Sequence, residues 1–200
     1  MTAEPAPSHD DVPAPMRADA RRNRARLLVV AHEVFAAEGL SVPIDEIARR
    51  AGVGPGTIYR HFETKEGLFQ AVMRDRLHRL VDAASALRDV DDAGSAFFDF
   101  FTLMVDEATG NKALAECFAA EGLEFELGDE EAPHDLEHAL DELLRRAQKA
   151  GAVRSDIGPH DIKALLIGCM ATETFGLRDS NERIFAVVRD GLRANSDKNV

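Results

Sequence analysis

Residues 44–69 read IDEIARRAGVGPGTIYRHFETKEGLF, and this stretch constrains the fold more than any other. The spacing predicts a short helix over Ile44–Ala51, with Ile47, Ala48 and Ala51 on its inner face. Pro43 suits its first turn, and Gly52 stops it. Gly54 then suits an N-cap and Pro55 the first helical position, so Gly-Pro-Gly begins a second helix instead of breaking one. That helix runs to about Phe62, with Ile58 and Phe62 facing inward. Thr64 caps the next. Two short helices joined by Ala-Gly-Val-Gly form a helix-turn-helix, whose second helix enters a DNA major groove with its N-terminal residues at the base edges.

The rest of the chain also carries helical periods. Leu27, Leu28, Ala31, Val34 and Phe35 mark a helix from about Ala18 to Glu38, and Gly39 suits a left-handed cap. After Thr64 a long helix carries Leu68, Phe69, Val72, Met73, Leu77, Leu80, Val81, Ala84 and Leu87 as its stripe. Further helices are expected near Ser95–Ala108, Lys112–Glu121, Pro133–Ala150, Pro159–Leu177 and Asn181–Ala194, with Gly110, Gly151 and Gly158 between them. No strand run or internal repeat is visible. The expected fold is all-α. A three-helix helix-turn-helix domain spans 18–65, and a helical domain spans 66–196. Residues 1–17, rich in Pro, Ala and Asp, are expected to be disordered. Met16 is a second candidate start.

The net charge of −12 argues against a nucleic-acid partner until its distribution is read. Residues 17–65 hold nine Lys/Arg and six Asp/Glu, whereas residues 66–200 hold 15 basic and 27 acidic residues. A basic head on an acidic body suggests a polyanion partner for the head alone. Cys117 and Cys169 lie far apart without CxxC spacing, so no disulfide framework or Cys-based zinc site is expected. No apolar run reaches the roughly 18 residues of a membrane span. The first residues lack the basic start and apolar stretch of a signal peptide. A reduced, cytoplasmic protein without a membrane partner is expected.

Within the head, Gly54 and Gly56 let a backbone approach closely. Tyr59 and His61 can donate to phosphates from the helix flank, and Lys65 lies near helix N-terminal amides that favour phosphate. Arg60 either reaches a guanine edge or contacts a phosphate. A phosphate cradle at Gly54–Gly56 is disfavoured, because no strand precedes it and no third Gly or Gly-Lys-Ser/Thr follows. His134, His138 and Asp141 fall on one helical face at metal-ligand spacing. The segment is acidic and lacks the glutamate of HExxH, so a solvated face is the better reading, and no metal or cofactor is expected. No base stands beside Cys117 in any recognisable pattern. No catalytic residue is assigned and no enzyme is expected.

In the body, Phe97, Phe101 and Met104 share one helical face. They are either ordinary core or part of an apolar ligand cavity, with Cys117, Phe118, Met170, Thr174 and Phe175 as the other candidates. The last two helices are apolar on more than one face. Ile162, Leu165, Leu166, Cys169 and Met170 on one, and Ile184, Val187, Val188 and Leu192 on the other, belong either to an internal pair or to a subunit interface.

RARLLVVAHEVFAAEGL followed by IDEIARRAGVGPGTIYRHFETKEGLFQAVM resembles the DNA-binding domain of TetR-family transcriptional regulators over about residues 20–73. The resemblance implies that Thr57, Tyr59, His61 and Lys65 hold phosphates and that Pro55, Gly56 and Arg60 face bases, with Arg49 joining the DNA-binding set. Two departures stand out. Val42-Pro43 replaces a Thr-Thr pair that usually contacts a phosphate, and Gly54 replaces a Ser cap. The C-terminal half, GAVRSDIGPHDIKALLIGCMATE leading to IFAVVRDGLRA, is similar to the SbtR-like subgroup. The resemblance also implies a homodimeric repressor, paired through its last two helices. Such a protein would bind a pseudo-palindromic double-stranded operator and be released by a small-molecule effector whose identity the sequence does not carry.

Overall fold

The computed structural model describes residues 14–109, 111–121, 131–174 and 181–194. Helix α1 (Ala14–Glu38) starts ahead of the expected Ala18. Pro15 sits in its first turn, where a missing N–H costs nothing. Residues 1–13, and with them most of the expected disordered extension, lie outside the described residues. Gly39 ends α1 at φ +80, the left-handed region that glycine enters at no steric cost.

Helix α2 (Ile44–Ala51) stops at Gly52, φ +66. There the Gly52 N–H donates to the Arg49 carbonyl at 3.1 Å and the Val53 N–H to the Ala48 carbonyl at 3.0 Å. This paired C-terminal closure satisfies orphan carbonyls and turns the chain sharply. Helix α3 (Pro55–His61) follows from Gly54. Its Ile58 is fully buried and Phe62, just past its end, nearly so, as the pattern predicts. Helix α4 (Lys65–Leu87) is capped by Thr64, whose Oγ1 accepts the Gly67 N–H at 3.0 Å. The body adds α5 (Ala93–Ala108), α6 (Lys112–Glu121), α7 (Glu131–Lys149), α8 (Pro159–Thr174) and α9 (Asn181–Leu192). The expected end of α8 near Leu177 falls outside the described residues. Among those residues no strand forms, and none of the helices is long and apolar enough to cross a membrane.

Two hydrophobic clusters organise the chain. The head cluster joins Leu27, Leu28, Val34 and Phe35 of α1 to Ile47, Ile58 and Phe62, and to Leu68, Phe69 and Val72 of α4. The body cluster joins Leu80 and Ala84 of α4 to Phe97, Phe100 and Phe101 of α5, Leu143 and Leu144 of α7, Ile162 of α8 and Leu192. Helix α4 therefore belongs to both. Burying a side chain such as Ile58 or Phe101 contributes about 1.5–3 kcal/mol. Helix α6 crosses from the body to the head, where its Ala113 and Cys117 enter the head cluster. An isolated antiparallel bridge, Val153 with Arg193, ties the turn after α7 to the end of α9. The Arg154 N–H donates to the Leu192 carbonyl at 3.0 Å and the Ala194 N–H to the Ala152 carbonyl at 3.1 Å.

Candidate nucleic-acid interface

Helix α3 stands on Ile58 and Phe62, which leaves its opposite side outward. Pro55, Gly56, Tyr59, Arg60 and His61 are all exposed, and Thr57 is half-buried. A Cβ built on Gly56 would meet no protein atom within 4 Å, and one on Gly54 only Thr57 Oγ1 at 3.9 Å. Gly54 has an ordinary extended backbone, φ −69 and ψ 150, and Gly56 has no positive φ. The fold itself thus makes no demand for glycine at either position. Arg60 and Lys65 have no ion-pair partner among the described residues, so both cationic heads are available. Lys65 sits in the first turn of α4, beside amides that favour an anion.

Two of the expected contact residues have acidic neighbours within the protein. Asp45 of α2 neighbours Tyr59, and desolvation, followed by this carboxylate, raises the pKa of the phenol. A phenol has one proton, so Asp45 competes with a phosphate for it. Arg49 grips Glu46 through two bonds, Nε to Oε2 and Nη2 to Oε1, both 2.7 Å. Arg50 reaches Glu46 Oε1 at 2.7 Å and also pairs with Glu38. The hydrogen bonds from Arg49 and Arg50 hold the Glu46 carboxyl at about 2. Arg49 therefore meets DNA only as a partner shared with Glu46. Arg24 lies with its guanidinium 5.6 Å from the centre of the Phe62 ring, bringing α1 to the end of α3. The Glu46–Arg49–Arg50 group was readable from its i, i+3 and i+4 spacing. Asp45 and Arg24 escaped because their partners lie on other helices and leave no local pattern.

In the body, the residues expected to line a cavity fall in different places. Phe97 and Phe101 are fully buried and Met104 nearly so. The Phe97 and Phe101 rings stack at 6.3 Å, and Phe101 stacks on Phe185 of α9 at 5.7 Å. These side chains belong to the body cluster. Cys117 packs in the head cluster, away from them, and Met170 is buried on α8. The side chains of Phe118 and Thr174, and all of Phe175, lie outside the described residues. An open cleft does exist farther along α5, lined by Val105, Asp106, Thr109, Cys169, Glu182, Ile184 and Phe185, with a volume of about 130 Å³. That is below the roughly 300–1,000 Å³ of small-molecule sites.

The expected interface residues divide. Ile162 and Cys169 of α8, which packs on α5 and α7, and Leu192 at the end of α9 are buried within the subunit. Leu165, Leu166, Ile184 and Val188 are half-buried, and Val187 is 72% exposed. His134 and His138 are exposed, and Asp141 pairs with Arg145 at 2.7 Å. Among the described residues no group of three His, Cys, Asp or Glu side chains is placed to hold a metal.

The family of bacterial regulatory proteins of the tetR type matches residues 27–72. The C-terminal domain of SbtR-like transcriptional regulators matches residues 92–194. A TetR transcription regulatory protein from Mycobacterium vanbaalenii, known from its crystal structure, is 47% identical, with 90% of this chain and 99% of that chain covered and a TM-score of 0.68. A TetR transcriptional regulator from Streptomyces coelicolor is 33% identical over 86% of this chain and 99% of its own, also at a TM-score of 0.68. A helix-turn-helix-type transcriptional regulator of Staphylococcus aureus is 31% identical over 110 residues, 52% of this chain and 58% of that regulator. The chain thus spans less than two thirds of that relative's length. A helix-turn-helix head carried on an all-helical body defines a DNA-binding transcriptional regulator. The chain belongs to the TetR family of these regulators, with a C-terminal domain of the SbtR-like kind.

Proposed function

We propose that this regulator is a cytoplasmic, homodimeric repressor whose two heads grip a pseudo-palindromic operator and are released when the body binds a small molecule. The observation that carries this reading is the double membership of α4, whose first half lies in the head core and whose second half lies in the body core. A rearrangement of the body then moves the head. A ligand acts only through a difference in affinity between two such arrangements.

In this reading Pro55, Gly56 and Arg60 face the bases. Thr57, His61 and Lys65 hold phosphates, with Tyr59 and Arg49 joining after exchange from Asp45 and Glu46. The second subunit covers α8 and α9 at Leu165, Leu166, Ile184, Val187 and Val188. The effector enters beside Val105, Cys169, Ile184 and Phe185, where the cleft is open, and not among the packed rings of Phe97 and Phe101. Selection from random duplexes at physiological salt tests the DNA part. Two related half-sites are expected, with centres roughly 34–36 Å or a multiple apart. Recovery of no sequence preference would sink the proposal.

A further inference from the structure

The turn between α1 and α2 is held from outside the head. Glu116 of α6 extends its carboxylate to this turn, and Oε2 accepts the Leu40 N–H at 2.8 Å. The turn is shaped around that group, because a Cβ on Gly39 would stand 2.4 Å from Glu116 Oε1 and 2.7 Å from Oε2. On either side of Glu116, Ala113 and Cys117 are buried in the head core, and Leu40 packs against the same cluster. Helix α6 also touches α8 of the body. The head is therefore tied to the body twice, covalently through α4 and non-covalently through α6. A carboxylate beside the C-terminal pole of a helix is repelled by it; α1 has no basic residue in its last turn, and Lys112, one turn before Glu116 on α6, supplies an offsetting charge with Nζ 3.9 Å from Oε1.

We infer that Glu116 is a positioning residue for DNA binding, a latch that fixes the angle of the head on the body. The inference rests on the reading of a dimer whose heads must match two half-sites. Without the bond from Leu40 to Glu116, α6 holds the head only by the apolar packing of Ala113 and Cys117, and the turn between α1 and α2 is free to shift. With Glu116 engaged the head is set, and the spacing of the two recognition helices is set with it.

Residue-resolved amide exchange and duplex titration test this together. In the wild type the Leu40 amide should exchange slowly. In Glu116→Ala it should exchange like an open turn, while helical content stays unchanged. Affinity for a duplex with two half-sites should fall roughly fivefold or more, the scale of typical allosteric coupling, and affinity for a duplex with one half-site should not change. Glu116→Gln keeps an acceptor oxygen and should restore both. An unprotected Leu40 amide in the wild type, or equal losses on one and two half-sites, overturns the latch. If Glu116→Ala does not fold, wild-type exchange and Glu116→Gln still decide. If no duplex preference exists at all, the repressor reading has failed, and Leu40 exchange still reports whether the tie is formed.

Discussion

A methyl group at Gly56 would project into open space, and its helical backbone suits any L-residue. Gly56→Ala should therefore leave the unfolding midpoint unchanged or raise stability by about 0.5–1 kcal/mol, the usual gain over glycine in a helix. Operator affinity should fall, because the added methyl meets DNA. A thermal melt and a duplex titration on the same variant check both halves, and undiminished affinity would mean that no close approach occurs there. Arg60 and Lys65 should separate by what they lose. Lys65→Ala should weaken binding to every duplex and reduce the salt slope by about 1. Arg60→Ala should cost about 1–3 kcal/mol on the preferred site and relax the preference at one position. Equal weakening on all sequences would make Arg60 a phosphate anchor instead.

At the scale of the helix, His32 shows how α1, α4 and α5 meet. Its ring is half-buried, and its Nδ1 is enclosed with no hydrogen-bond partner. Burial is the largest cause lowering its pKa, followed by Arg76 of α4. Glu107 of α5 and Glu33 raise it, and Arg79 lowers it again. Arg76 and Glu107 are themselves paired at 2.7 and 2.9 Å. The unfolded chain takes up the proton near pH 6.5 and the folded one only at lower pH. Stability supplied by neutral His32 is thus complete above about pH 6.5 and is lost as pH falls below it. Denaturant unfolding between pH 7 and 5 should show this decline, and His32→Gln should flatten it. An unchanged slope would place the cause elsewhere.

The helix-turn-helix was legible in the residues because its punctuation is local: Gly52, Pro55 and Thr64 each act on the backbone beside them. The destination of α6 was not. Ala113 and Cys117 show a face at i and i+4, but nothing nearby says which core receives it. Phe97 and Phe101 were ambiguous for a related reason, since a packed aromatic face and a cavity wall have the same pattern. On α8, apolar residues on both faces hid the fact that Ile162 and Cys169 point inward, leaving Leu165 and Leu166 half-buried.

Over the whole molecule, charge and apolar surface are placed apart. The acidic body leaves the basic head to meet DNA, while Val187 stands 72% exposed on the far element α9. Val187→Asp should not harm the isolated subunit, because the side chain already meets water. It should abolish a pairing that buries on the order of 1,200–2,000 Å². Sedimentation should show wild-type dimers and Val187→Asp monomers with unchanged helical content and lost operator binding. A variant that still pairs would place the interface elsewhere.

The backbone clamp joining Ala152 and Arg154 to Leu192 and Ala194 has a consequence for the order of assembly. It closes the chain on both sides of α8 and α9, so this helix pair is braced from within its own subunit before any partner arrives. Refolding should then regain helix in a first-order phase whose rate ignores protein concentration, and only afterwards show a concentration-dependent phase. In the homodimer proposed above, a newly made subunit would wait as a folded monomer, with its pairing face finished.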